Sequence, residues 1–223
     1  MKYYPVNLDI RRQSCLVVGG GSVGTRKVKT LLDCGAAVTV VSPEVTDMLS
    51  VLAEENRILL KQRPYKASDL DGVFLVIGAT DNKDMNRTIY DDARKKGKLC
   101  NIVDQPDLCN FVLPSVVERG DLIIAISTSG KSPAYARQLR KQLEAQFGPE
   151  HAGFLKLMGI VRKILLKRTR DPDMHRQVFN SLIDHGLLEC VRNGDKAAID
   201  NMLISVLGPG YGYDWVCEHG DDI

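Results

Sequence analysis

Three glycines directly after an apolar run are the residues with the clearest chemical meaning in this sequence. Gly19, Gly21 and Gly24 have the spacing of the G-x-G-x-x-G pattern. In that pattern the first glycine permits a tight turn, the second lets backbone N–H groups approach a pyrophosphate, and the third lets a helix lie close on a strand. The helix start adds unpaired N–H donors and a partial positive charge. Glycine triplets also occur in ordinary turns, but the apolar strand before this one and the helical pattern after it favour a dinucleotide-binding turn.

An acidic residue follows the apolar run Leu99–Val103, which we predict to be the fifth strand. This residue is Asp104. In open α/β sheets ligands bind at the carboxyl ends of the strands, so a carboxylate there could accept a proton from a substrate that loses a hydride. The alternative is a turn residue before Gln105-Pro106, which is common for an aspartate near proline. The sequence leaves both interpretations open.

Two further strand ends carry polar residues that could contact a cofactor. Ser42, Pro43 and Glu44 follow the second predicted strand, where an acidic residue often binds the ribose hydroxyls. No arginine follows to hold a 2′-phosphate, which favours NAD over NADP. Thr80 and Asp81 follow the fourth predicted strand and should line the cofactor crevice. They also fit a polar turn before a helix, and that alternative stays open.

Basic residues surround a predicted helix start at Ser132-Pro133. They are Lys131, Arg137, Arg140 and Lys141. Serine at the N-cap and proline at the first helical position are typical of a helix N-terminus, which can bind carboxylates. A solvated helix face is the alternative.

The order of apolar runs predicts the fold that positions these residues. Five short runs alternate with helical patterns, namely Cys15–Val18, Ala37–Val41, Ile58–Leu60, Val73–Ile77 and Leu99–Val103. This alternation predicts an α/β fold with a Rossmann-type, doubly wound parallel sheet. The runs 111–117 and 122–127 are too close together for a helical crossover, so we predict an antiparallel pair. Beyond residue 151 the pattern is helical, with helices predicted over 154–167, 174–185 and 196–207. We therefore expect an NAD-binding domain at 1–113, a small α+β segment at 114–150 and a helical C-terminal domain at 151–223.

Composition and charge exclude several classes of protein. Of the 223 residues 44% are apolar and 26% are charged, with a net charge of +2, so no global field indicates nucleic-acid or membrane binding. No apolar run approaches the ~20 residues that span a bilayer. The six cysteines show no C-x-x-C spacing and the four histidines all lie beyond residue 150, so we expect no metal site. Unpaired cysteines in apolar segments fit a reducing cytoplasm.

Six ordered blocks of sequence resemble one family. They are Tyr4–Leu8, Val17–Gly24 with Arg26-Lys27, Gly78–Asn82, Asn101–Asp104, Phe111–Ser115 and Ile126–Ala134. The chain resembles the precorrin-2 dehydrogenase family of sirohaem synthesis, which also occurs as the N-terminal part of sirohaem synthase. The match covers about residues 1–147 strongly and the helical remainder weakly. The separate methyltransferase module of the longer synthases is not expected in a chain of this length.

The resemblance implies a reaction and roles for particular residues. NAD would accept a hydride from precorrin-2 to give sirohydrochlorin. The family's important aspartate falls on Asp104, and its cofactor positions fall on Ser22, Val23, Pro43 and Glu44. Because the substrate carries many carboxylates, the resemblance supports a substrate cradle, whose predicted members are Ser129, Lys131, Ser132, Arg137 and Arg140. The family dimerises through the segment after the nucleotide domain, here about 114–150. Thr128 stands where sirohaem synthase has a modifiable serine.

Two alternative functions remain open at the level of the sequence. Some family members also insert iron into sirohydrochlorin, which would make this chain a bifunctional dehydrogenase and ferrochelatase. A protein of another class, a regulatory module that binds NAD without turnover, would also use the glycine turn. Binding of NAD without a tetrapyrrole-dependent absorbance change would identify such a module.

Overall fold

The computed structural model describes residues 2–219 and divides the chain into two compact units. The boundary lies between Leu113 and Pro114. Each unit has its own hydrophobic core and is described by itself.

The first unit is built on a parallel sheet of five strands in the order β3-β2-β1-β4-β5. Its strands are β1 Ser14–Gly20, β2 Ala37–Val45, β3 Leu59–Lys61, β4 Leu75–Gly78 and β5 Leu99–Ile102. All four neighbouring pairs are parallel. This order and the connecting helices confirm the predicted Rossmann-type fold.

Helices cover both faces of this sheet. The helices are α1 Ser22–Asp33, α2 Asp47–Glu54 and α3 Lys83–Lys95. Helices α1 and α2 pack on the face that includes Val17 and Val40, and α3 packs on the face that includes Leu16 and Val76. Because both faces are covered, the central strands are continuous apolar runs rather than alternating ones.

Strand β2 differs from the prediction that it stops at Ser42-Pro43. It continues to Val45, and its register with β1 shifts between the pairs Val18–Val41 and Gly20–Val45. Two extra residues on β2 are accommodated by this bulge, which places Pro43 where its missing N–H disturbs the ladder least. The bulge therefore holds Ser42, Pro43 and Glu44 at the carboxyl end of the sheet.

The second unit begins with a hairpin and one helix. Strands β6 Ser115–Arg119 and β7 Leu122–Ile126 pair antiparallel, as predicted. The first of them starts later than expected, since Phe111 lies before Pro114 and its carbonyl accepts a bond from the Asn101 side chain instead. Helix α4 Pro133–Gln146 starts as predicted, with the Ser132 hydroxyl accepting from the backbone N–H of Tyr135 at 3.2 Å.

The rest of the described chain is helical. Its helices are α5 Glu150–Arg168, α6 Pro172–Asp184, α7 Leu187–Asn193, α8 Lys196–Leu207 and α9 Tyr213–His219. Three of these agree with the predicted helices, while α7 and α9 are too short to show a clear period in the sequence. Their core is formed by aliphatic side chains such as Leu165 and Leu203. No helix within residues 2–219 is long and apolar enough to cross a lipid bilayer.

A buried carboxylate fixes the segment that follows β3. The Asp69 side chain is only 2% exposed and accepts hydrogen bonds from Arg63 at 2.6 and 2.8 Å, from Lys61 at 3.2 Å and from the backbone N–H of Lys66 at 3.0 Å. The Arg63 guanidinium also donates to the Pro64 carbonyl. These bonds, above all the two from Arg63, hold the pKa of Asp69 well below its usual range. The charged form of Asp69 therefore stabilises this segment.

We expect Asp69→Asn to lower the free energy of unfolding by about 2 kcal/mol, because it removes the anion and leaves the partly exposed Arg63 without its partner. A carboxyl with a lowered folded-state pKa stabilises the protein above its unfolded pKa and loses this effect as the pH falls. The difference between wild type and variant in urea unfolding should therefore shrink below about pH 4. Asp71→Asn is the control, since Asp71 is 69% exposed in its ion pair with Lys96. A pH-independent difference would contradict this assignment.

Candidate functional site

The carboxyl ends of the parallel strands surround one cleft of about 790 Å³. Every predicted cofactor residue except Gly24 lines it, together with the predicted catalytic aspartate. These lining residues are Gly19, Gly21, Ser22, Val23, Ser42, Pro43, Glu44, Thr80, Asp81 and Asp104. Residues that come from four separate strand ends in the sequence thus share one cavity.

Gly24 has a packing role beneath the cleft. A Cβ atom at Gly24 would lie 2.1 Å from the carbonyl oxygen of Gly19, and one at Gly19 would lie 2.3 Å from the carbonyl oxygen of Ala79. Gly19 also has a φ of +113°, which side chains rarely adopt. These two glycines therefore allow α1, β1 and the loop after β4 to meet.

Gly21 is free of such contacts. A Cβ atom there would meet no protein atom within 4 Å, so the space beside it belongs to the cleft. Gly21 is also the N-cap of α1, with no side chain that caps the helix and no acidic residue in the first turn. The first N–H groups of a helix have no partner within it, so this end can bind an anion. The glycine turn has the open space and the donors that a dinucleotide pyrophosphate requires.

The bulge of β2 forms the edge of the cleft. The Ser42 hydroxyl donates to the carbonyl of Glu44 at 2.6 Å, and Ser42 is buried. Pro43 and the Glu44 side chain are exposed. The Glu44 carboxylate is therefore the group at this strand end that is available to ribose hydroxyls, while Ser42 shapes the bulge.

A buried asparagine that the sequence prediction missed holds the loop after β4. Asn86 is 2% exposed; its side-chain amide donates to the Thr80 carbonyl at 2.9 Å and accepts from the Thr80 hydroxyl at 2.8 Å. Asn86 lies three residues before Ile89 and seven before Ala93, on the buried stripe of α3. This spacing is the signal in the sequence that could have indicated a buried asparagine. Asn86 therefore fixes the Thr80 backbone beside the cleft.

Asp104 occupies an unusual backbone position in the cleft. It is exposed and has a φ of 59°, in the left-handed region, which aspartate tolerates better than most residues. The Asp104 carboxylate interacts electrostatically with Lys27 of α1. Burial and the nearby charge of Arg26 lower the pKa of Lys27, and the attraction of Asp104 partly opposes this decrease. The predicted catalytic carboxylate is thus exposed to the cleft.

The third strand end also contributes to the cleft, although the sequence prediction did not include it. Pro64 and Tyr65 follow β3 and line the cavity. The Tyr65 hydroxyl donates to Asp92 at 3.2 Å, and burial raises the pKa of this tyrosine. The rule that ligands lie at strand ends would have found both residues if it had been applied to β3.

The predicted substrate residues lie in the second unit. Ser129 has a left-handed φ of 53°, and its N–H donates to the Ser127 hydroxyl. The Ser132 hydroxyl caps α4, the Lys131 and Arg137 residues are exposed, and Arg140 forms an ion pair with Glu144. The Thr128 hydroxyl accepts from the Ser132 N–H at 3.2 Å. All of them belong to the turn before α4 or to α4 itself.

We expect Gly21→Ala to weaken NAD binding about tenfold and to leave the free energy of unfolding near the wild-type value, because its methyl group points into the cleft rather than into protein. Gly24→Ala should instead destabilise the protein by about 1–3 kcal/mol, since its methyl group meets the Gly19 carbonyl. Fluorescence titration with NAD and urea unfolding separate the two effects. Gly159→Ala, in open space on α5, is the control. Wild-type affinity in Gly21→Ala would contradict a pyrophosphate site at this glycine.

Two protein families match this chain. The family described as "Putative NAD(P)-binding" matches residues 6–115, which contain the whole cleft, and the family described as "Sirohaem biosynthesis protein central" matches residues 119–146. The first match agrees with the predicted cofactor, NAD.

Curated relatives and a solved structure agree with these matches. Siroheme synthase of Photobacterium profundum is 35% identical over 207 residues, and siroheme synthase 2 of Yersinia enterocolitica is 36% identical over 202 residues. These alignments cover 92% and 90% of this chain but 44% and 43% of the relatives, so the chain spans less than half their length. A solved structure, "SirC, precorrin-2 dehydrogenase", superposes with a TM-score of 0.78 at 25% identity and covers 92% of this chain and 99% of its own. The resemblance stated from the sequence is thereby confirmed: the chain is similar to siroheme synthases over less than half of their length and to a solved precorrin-2 dehydrogenase over nearly all of its chain.

Proposed function

We propose that this protein uses NAD to dehydrogenate precorrin-2 to sirohydrochlorin in sirohaem biosynthesis. The observation that carries the proposal is the presence, in one cleft, of an open glycine turn at a helix N-terminus and an exposed aspartate. The solved relative named precorrin-2 dehydrogenase supports the same reaction, because almost all of its chain is covered by this one.

The residues of the cleft fit a bound NAD. Backbone N–H groups at Gly21 and the start of α1 would hold the pyrophosphate, and Glu44 would bind the ribose hydroxyls. A carboxylate at this position repels a 2′-phosphate, which supports NAD over NADP. Bound NAD supplies a nicotinamide ring that accepts a hydride.

Asp104 is proposed as the base of the reaction. Precorrin-2 gives up two electrons and one hydrogen as a hydride and loses one further hydrogen as a proton, which Asp104 accepts. A carboxylate at this position suits the role because Asp104 lines the cleft and is exposed. The proton then passes to solvent, to which Asp104 is exposed.

The carboxylates of the substrate need basic partners. We propose Lys131 and Arg137, both exposed, with Ser129 and Ser132 in the same turn, as members of its cradle. Arg140 is proposed as well; its Nη1 atom forms an ion pair with Glu144.

A homodimer through residues 114–150 is also proposed. On one face of the hairpin the side chains of Val116, Glu118, Ile123 and Ala125 are exposed, with Val116 at 40% and Ile123 at 54%. Apolar side chains on a two-stranded sheet favour burial against a partner. The second copy of this chain is the partner that the family resemblance implies.

A reducing compartment, the cytoplasm, is the proposed location. The six cysteines, all within the described residues, form no disulfide. Burial raises the pKa of Cys15 to about 11 and that of Cys100 to about 12, so both thiols stay protonated and act as core residues.

Asp104→Asn should lower kcat by about 10²–10⁴ with little change in NAD affinity, because asparagine tolerates the left-handed backbone but cannot accept the proton. The measurement is NADH formation at 340 nm with precorrin-2 generated under anaerobic conditions. Asp107→Asn, an exposed neighbour, should keep the wild-type rate.

The same assay separates the proposed function from its alternatives. NAD binding without turnover by the wild type would overturn the dehydrogenase and identify a regulatory module. A repeat with sirohydrochlorin and Co²⁺ or Fe²⁺ decides the chelatase question, since an uncatalysed rate would remove that second activity. Full activity of Asp104→Asn would assign the proton to another group.

Ile123→Asp should convert the dimer to a monomer, because it replaces an exposed apolar side chain of the proposed interface with a second negative charge opposite Glu118. Light scattering after size-exclusion chromatography gives the mass directly. Ile183→Asp is matched to it, since Ile183 is also 54% exposed but lies on α6. A wild-type monomer, or a dimer that survives Ile123→Asp, would refute the proposed interface.

A further inference from the structure

The outer edge of β5 leads directly into the turn that carries Asp104. Strand β5 lies at one end of the sheet, so alternate backbone groups along it point away from the ladder. At Cys100 these groups pair with Asn110, whose side chain accepts from the Cys100 N–H at 2.8 Å and whose own N–H donates to the Cys100 carbonyl at 3.0 Å. At Ile102 the corresponding backbone groups contact the Cys109 thiol.

The sulfur atom of Cys109 contacts the backbone on both sides of Asp104. It lies 3.3 Å from the N–H nitrogen of Ile102, 3.3 Å from the Ile102 carbonyl oxygen and 3.3 Å from the Gln105 carbonyl oxygen. The sulfur accepts from the Ile102 N–H, and the thiol proton is available to the two carbonyls. Ile102 and Gln105 are the first and last residues of the turn that contains Asp104.

The turn itself needs this support. Its hydrogen bond, from the Gln105 N–H to the Ile102 carbonyl, is long at 3.3 Å, and Asp104 has a left-handed φ of 59°. A residue other than glycine in that region costs energy and persists only where its surroundings hold it. Burial raises the pKa of Cys109, so the thiol keeps the proton that it donates.

We propose that Cys109 is a positioning residue for Asp104: its thiol joins both ends of the Ile102–Gln105 turn and so holds the carboxylate in place in the cleft. This inference rests on the proposed function for its catalytic consequence, but the bonds of the turn can be tested without activity. We call these contacts of the Cys109 thiol with Ile102 and Gln105 the clamp. Asn101 assists the clamp, since its side-chain amide lies 3.6 Å from the sulfur and 3.0 Å from the Phe111 carbonyl.

The kinetic test compares Cys109→Ala with Cys109→Ser. Loss of the clamp should lower kcat at least about tenfold, because small displacements of a catalytic group slow the reaction strongly. KM for NAD should stay within about twofold of wild type, because the glycine turn is unchanged. Serine keeps a donor and an acceptor and should restore part of kcat, even where alanine folds poorly. Cys34→Ala, exposed at the end of α1, is the matched control.

A double variant shows whether Cys109 acts through Asp104. If it does, Cys109→Ala should cost no further activity in the Asp104→Asn background, since effects on one catalytic unit are not additive. A cost in kcat that multiplies with that of Asp104→Asn would overturn the positioning role, and so would a wild-type kcat in Cys109→Ala.

Amide hydrogen exchange tests the clamp independently of turnover. Residues Ile102 and Gln105 should exchange at least about tenfold faster in Cys109→Ala than in wild type, while Val17 in β1 should be unchanged. An inactive wild type would remove the proposed reaction but leave this readout intact. Unchanged exchange at both residues would overturn the clamp whatever the activity.

Discussion

The close backbone contact at Gly19 is the constraint on which the site depends. The Ala79 carbonyl approaches Gly19 from one side, and the Gly19 carbonyl itself lies against Gly24 of α1. No side chain fits at Gly19 or at Gly24. Strand β1, helix α1 and the loop after β4 can therefore meet only because these two residues have no side chain. This contact brings the start of α1, with its unpaired donors, to the centre of the strand ends. The positions of Thr80 and Gly21 relative to each other follow from it.

Much of this arrangement could be predicted from the sequence because its cause is local. Buried parallel strands must be apolar on both faces, so runs such as Leu16–Val18 and Val38–Val41 identify them directly. The glycine spacing places the turn, and Ser132 before proline places the start of α4. The rule that ligands bind at the carboxyl ends of parallel strands then predicts that most of the cofactor residues share one cleft.

Other features could not be predicted because they depend on residues that are distant in the sequence. The bulge of β2 exists because Gly20 pairs with Val45, and a Cβ at Gly20 would lie 2.4 Å from the Glu44 carbonyl. The pattern G-x-G-x-x-G permits any residue at that position, so only the fold reveals why glycine is needed there. Asn86 is similar: its partner Thr80 is known only once the loop is folded onto α3. The Cys109 contacts also require the chain to return along β5.

The segment with Cys109 and Asn110, which runs back along β5, has a consequence for assembly. A free strand edge can recruit a strand from another molecule, which leads to continuous sheets or aggregates. Along β5 the outward groups of Cys100 and Ile102 are already taken by Asn110 and Cys109. The sheet is closed to extension at these residues, so a strand from another copy cannot be added to β5 there.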